Sequence, residues 1–110
     1  MSGSCYLQVW TAVPSEEVAG LIARLVVEAR MAAAVQVVGP VRSTYWWLGE
    51  IHSAVEWLCI AKSTGGRFQE LAALIAANHP YEVPEITATP ISHGSPAFLS
   101  WIAEEAVSSP

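Results

Sequence analysis

The sequence predicts a single α+β domain whose elements run β-α-β-β-α-β, followed by a terminal helix. Three observations carry this reading. A β-rich run closed by Pro14 leads into a capped amphipathic stripe. Two long β-rich runs flank Leu48-Gly49-Glu50, and a second helical stripe precedes a short β-rich run and Ser95-Pro96. At 110 residues the chain suits one modest hydrophobic core, so residues 1–110 are read as one domain with its ends, about 1–5 and 106–110, frayed.

The first strand is Leu7–Val13, rich in apolar and β-branched residues. Ser15 then suits an N-cap, and Glu16 and Glu17 fall in the first turn, where the helix dipole favours anions. Val18, Leu21, Ile22, Leu25, Val26 and Ala29 follow on one helical face. Val35–Trp47 is β-rich but contains Gly39-Pro40. Proline lacks the N–H a ladder needs, so a bulge or an edge position is expected there.

Leu48-Gly49-Glu50 turns the chain, and Ile51–Ser63 returns. Its odd-numbered residues, Ile51, Val55, Trp57, Cys59 and Ala61, share one side; His52, Ala54, Glu56, Leu58, Ile60 and Lys62 share the other. Both sides are largely apolar near the middle, so both faces are expected to be covered. This hairpin is long for so small a domain, since strands usually run about five or six residues. Its outer part is expected to reach beyond its own core and pair with a neighbour.

Thr64-Gly65-Gly66 opens the second helix, with Phe68, Leu71, Leu74 and Ile75 on one face and Asn78 at its end. Ile86–Pro90 is a short last strand. Ser95 as N-cap and Pro96 in the first turn start a third helix, with Phe98, Leu99 and Ile102 as its stripe. The order is that of the ferredoxin-like split βαβ arrangement, one antiparallel sheet with two helices on one face.

Composition bounds the function. The chain is 53% hydrophobic and 14% charged, against roughly 25% charged in an average soluble chain. A small domain has a high surface-to-volume ratio, so this shortage of charge points to surface buried against other copies in a closed symmetric oligomer. All the acidic residues are Glu and the net charge is −5, while Arg24, Arg30, Arg42, Lys62 and Arg67 do not cluster. The basic stripe that binds nucleic acid, or an anionic membrane, is missing. Cys5 and Cys59 form neither a disulfide framework nor a paired zinc motif. The start lacks the pattern of a signal peptide, and charges interrupt the longest apolar stretch, so a cytoplasmic protein is expected.

Catalytic sets are missing from the pattern. There is no Asp, no Ser in a G-x-S-x-G turn, and Cys59 falls among apolar neighbours in mid-strand. Thr64-Gly65-Gly66 lacks the Lys and spacing of a phosphate-binding loop and reads as a plain turn. His52, His79, His93, Cys5, Cys59 and the glutamates offer no pair at local metal-ligand spacing, so a metal site would have to be assembled in space, across subunits if need be. His79 is the strongest of these donors. It opens the segment HPYEVPE, where two prolines fix the backbone and Glu82 and Glu85 flank the loop. Adjacent Trp46 and Trp47 must face opposite sides of the sheet; one is expected in the core and the other as an interface anchor.

Five segments resemble the CutA family, the divalent-cation-tolerance proteins: RMAAA at Arg30–Ala34, VRSTYWWLGE at Val41–Glu50, Lys62-Ser63-Thr64, NHPYEVPEI at Asn78–Ile86, and FLSWI at Phe98–Ile102. They span nearly the whole chain in order. The resemblance implies a ferredoxin-like fold in a homotrimer whose long hairpins pair between subunits, and a link to copper or another divalent ion. It also implies metal contact by His79 and Glu56. Many relatives carry Cys where this chain has Ala34, and some near the end of the first strand, where it has Trp10. Without those thiolates, weaker copper binding is expected.

The expected function is therefore a homotrimeric, non-enzymatic protein of divalent metal tolerance. It needs no cofactor, and its ligand is Cu(II) or another divalent ion. Two alternatives stand beside it. One is a small-molecule sensor, by analogy with nitrogen-regulatory trimers of the same fold, with its ligand in a cleft between subunits near His79 and the Thr64–Gly66 turn. The other is a purely structural trimeric interaction protein.

Overall fold

The structure, a computed structural model, describes residues 5–107. The elements are β1 (Tyr6–Val13), α1 (Glu16–Glu28), β2 (Ala34–Trp47), β3 (Glu50–Thr64), a 3-10 turn at Gly65–Arg67, α2 (Phe68–Asn78), β4 (Thr87–Pro90) and α3 (Pro96–Glu105). One four-stranded sheet has the order β2-β3-β1-β4, antiparallel throughout. This is the expected split arrangement. The fraying expected at residues 1–4 and 108–110 lies outside the described residues; Cys5 accepts a backbone hydrogen bond from Gly65, and the Ala106 N–H donates to Ile102.

Local chemistry explains the boundaries. Ser15 Oγ accepts from the Val18 N–H at 3.2 Å, capping α1 as expected. At the other end Arg30 takes φ +62°, its N–H bonding Val27 O while Met31 N–H reaches back to Val26 O. That is a Schellman ending with Arg in the place glycine usually holds. The Arg30 guanidinium pairs with the Glu105 carboxylate, tying α3 to the end of α1. Leu48 and Gly49, at φ +52° and +80°, form the two-residue hairpin turn between the paired residues Trp47 and Glu50. Asn78 ends α2 by donating its side-chain amide to Leu74 O at 2.9 Å rather than by a left-handed backbone. Ser95 precedes α3 without a side-chain cap, and Pro96 in the first turn makes the start.

The core lies between the sheet and α1 and α2. Val9 and Val13 of β1, Cys59 and Ala61 of β3, Ala19, Ile22 and Val26 of α1, and Leu71 and Ile75 of α2 are buried together. Leu21, placed on the apolar face of α1 by its spacing, is instead 52% exposed. The helix needs only the narrower stripe of Ala19, Ile22 and Val26 against the sheet. Phe98 likewise stays exposed while Ile102 of α3 is buried.

At Gly39-Pro40 the β2–β3 ladder slips between Val38 and Val41, the expected bulge, and the peptide bond is cis. A Cβ on Gly39 would sit inside van der Waals distance of the Trp57 indole, so only glycine lets the bulge lie against that ring.

Alternation along β3 runs as expected, and within the single chain only one face is covered by helices. Cys59, Ala61 and Ser63 face the helices and are buried. No helix covers Leu58 and Ile60 on the opposite face to that depth, and both stay half-exposed beside Trp10 of β1 and the exposed Val38 of β2. On this same face Lys62 Nζ donates to Gln8 Oε1 at 2.9 Å and Gln36 Oε1 at 3.0 Å. Neither Trp46 nor Trp47 is core: they are 71% and 39% exposed. The hairpin carries both past the helices, so alternation still sets them on opposite faces but nothing among the described residues buries either.

Candidate functional site

The chain leaves α2 at His79 and passes over the end of the sheet before entering β4. Its segment 80–85 leans over the face opposite the helices. Beneath it lie Ala12 of β1, Glu56 of β3, and Ser43, Tyr45 and Trp47 of β2, which share that face because they are two residues apart. Together these residues line a cleft of about 540 Å³ with Pro80, Tyr81, Glu82, Val83 and Glu85.

His79 fixes the entrance of the segment. Its Nδ1 accepts the Tyr81 N–H at 3.1 Å, so Nε2 carries the proton and donates to Ala12 O at 2.8 Å. The imidazole thus joins the segment to β1 with both nitrogens. Tyr81 packs against it, with ring centroids 4.9 Å apart, and its hydroxyl donates to Glu56 Oε2 at 2.7 Å. Burial first, then the hydrogen bond and the negative charge of Glu56, push the Tyr81 phenol well above the usual tyrosine range. It therefore stays a neutral donor. Glu56 is itself only 7% exposed.

The two residues singled out as metal contacts are thus linked through Tyr81, with His79 on its backbone and Glu56 on its hydroxyl. Ligation by His79 would require giving up one of its two hydrogen bonds. Among the described residues no three His, Cys, Asp or Glu side chains come together as a metal-binding group. The described residues of one chain thus bring together fewer than three such donors at any one place.

Other candidates separate. The Thr64–Gly66 turn and His79 stand at opposite ends of α2, about 16 Å apart for its 11 residues, so the turn takes no part in the cleft within one chain. Its Gly65 N–H is already given to Cys5 O. Burial raises the Cys59 thiol from about 9 to about 11, and the Sγ–H points to Ala19 O, as suits an inert core thiol. His52 stacks on Tyr45, centroids 5.9 Å apart, across the hairpin. The role of Tyr81 as the link was not visible in the sequence. The row Ser43, Tyr45, Trp47 was, through its period of two, once the hairpin register is known.

The family profile described as CutA1 divalent ion tolerance protein matches residues 7–105. The divalent-cation tolerance protein CutA of Thermus thermophilus is 46% identical over 92 residues, covering 84% of this chain and 89% of that protein. Human protein CutA is 37% identical over 91 residues, 83% of this chain but 51% of its own length. The chain likewise spans 61% of the Danio rerio CutA homolog and 50% of the mouse protein. Among solved structures, CutA1 of Thermus thermophilus superimposes with a TM-score of 0.89 at 43% identity, over 91% of this chain and 97% of that one. CutA1 of Oryza sativa reaches a TM-score of 0.93 at 30% identity, over 99% and 100%.

Proposed function

The chain belongs to the CutA1 divalent ion tolerance family, and from that premise we propose that it is a self-associating, non-enzymatic binding protein of divalent-cation response. The observation that supports this best is the sheet face away from the helices. It presents Trp10, Val38, Leu58 and Ile60 to solvent in the single chain, the kind of apolar patch that other subunits bury. A closed homotrimer with hairpins paired between subunits would cover it. The sequence has no Asp and no G-x-S-x-G turn, and Cys59 is a buried thiol held protonated, which favours a binding role over catalysis.

The metal reading follows from the family. Cu(II) or another divalent ion would be held near His79 and Glu56, with water or a neighbouring chain supplying the donors a single chain lacks. The test is calorimetric titration of metal-free protein with Cu(II) and Zn(II), with molar mass read by light scattering. Trimeric mass and Cu(II) binding that His79→Ala largely removes are expected. A monomeric mass would overturn the assembly, and unchanged affinity in the variant would overturn the metal site. A second reading, a sensor trimer that carries a small molecule, is favoured by one specific observation: the cleft is far larger than an ion and lined by aromatic rings.

A further inference from the structure

The cleft under segment 80–85 combines two features that no ordinary core or turn requires. Three aromatic side chains, Tyr45, Trp47 and Tyr81, line it together with three carboxylate side chains, Glu56, Glu82 and Glu85. No Lys, Arg or His is among the lining residues. We propose that this cleft binds a small organic ammonium ion, held by the aromatic faces and the carboxylates together. The inference deepens the small-molecule reading given above and rests on it.

The chemistry excludes the alternatives one by one. An anion such as a nucleotide phosphate would meet three carboxylates and no counter-charge in the lining that one chain supplies. A bare divalent ion needs several oxygens converging within bonding distance, and the described residues bring no three such donors together. A neutral apolar ligand would leave the glutamates without purpose. An alkylammonium ion answers both features, because indole and phenol faces attract cations electrostatically and the alkyl groups shed little hydration on entering.

Glu56 adds an independent indication. It is 7% exposed, yet among the described residues only the Tyr81 hydroxyl bonds to it, at Oε2. Its other oxygen, Oε1, is not among the buried atoms left without a partner and so is open to the cleft, where a cation can approach it. The Tyr81 hydroxyl is turned to Glu56, so the ring is held in place at the cleft wall. Trp47, 39% exposed at the outer end of β2, forms part of the opposite wall.

The test uses the full chain in its native assembly. Choline chloride is titrated calorimetrically beside its uncharged isostere, 3,3-dimethylbutan-1-ol, with sodium chloride as the ionic control. Saturable choline binding is expected, with the isostere at least about tenfold weaker, the size of a desolvated cation–π contact. The pair Glu82→Gln with Glu85→Gln lies on exposed loop positions outside the hairpin. It is expected to weaken choline about tenfold while leaving the circular dichroism spectrum and elution volume unchanged. Equal binding of the isostere, or choline heats no larger than those of sodium chloride, overturns the proposal. Two further titrations separate the failures. If adenosine triphosphate binds and choline does not, the small-molecule reading stands and only the ligand class is wrong. If neither binds, both fall, whatever Cu(II) does.

Discussion

Replacing His79 tests how the segment over the cleft is held. In His79→Ala two hydrogen bonds disappear: Nε2–H to Ala12 O at 2.8 Å and the Tyr81 N–H to Nδ1 at 3.1 Å. A typical intramolecular hydrogen bond contributes about 1 kcal/mol net, so the expected loss is about 2 kcal/mol. The Ala12 carbonyl belongs to a residue that is 6% exposed, which makes recovery by water incomplete and argues against a smaller figure. The two bonds can be separated. Glutamine places an amide N–H near the position of Nε2, and asparagine an oxygen near that of Nδ1. His79→Gln and His79→Asn are therefore each expected to recover about half, roughly 1 kcal/mol. Guanidinium denaturation followed by tryptophan fluorescence measures this at one fixed chain concentration, so that the proposed association, which would add to apparent stability, is held constant. An alanine variant within about 0.5 kcal/mol of the parent, or a glutamine variant no better than alanine, would refute the latch.

Three more outcomes follow from the packing. With its thiol raised from about 9 to about 11, Cys59 is expected to ignore an aromatic disulfide reagent in the folded protein at neutral pH, so one thiol per chain, Cys5, reacts and the second appears only in guanidinium. Because the fold favours the protonated thiol, its contribution to stability is complete below pH 9 and falls away as the pH rises to 11; a denaturation midpoint flat across that window would contradict the burial. Gly39→Ala drives a methyl into the Trp57 indole and is expected to cost about 1–3 kcal/mol by overpacking; a neutral result in the same denaturation assay would show that the bulge can move away.

The fold was legible because its signals are local and periodic. Ser15, the stripe of α1 and the alternation along β3 each rest on a repeat that the backbone imposes whatever surrounds it. Gly39-Pro40 announced a bulge because proline has no N–H to give. What periodicity does not tell is which of two faces another layer will cover. For that reason Trp46 and Trp47 were rightly set on opposite sides while the core position expected for one of them was not found. The same limit applies to Leu21, apolar and on the stripe yet outside the contact with the sheet.

The site was legible in its parts and not in its connection. His79 stood out through the two prolines near it, and Glu56 through the family resemblance. Their actual relation depends on Tyr81, whose hydroxyl reaches Glu56 across 25 positions of sequence. A contact between a loop and a strand leaves no spacing to read. It becomes visible only when the segment has been laid over the sheet.

Lys62 gives the bare face of the sheet a grammar. Two of the three ammonium donors are assigned to Gln8 and Gln36, and the third has no protein partner among the described residues. An entirely oily surface would accept any other oily surface in any orientation. Around Lys62 that freedom ends: whatever lies over it must bring an acceptor or leave room for water, since stripping an ammonium group of both costs more than nearby methyl contacts return. Covered by another surface, such a face would be both sticky and selective. One charged side chain bonded to two amides would reject any cover that offers it neither acceptor nor water.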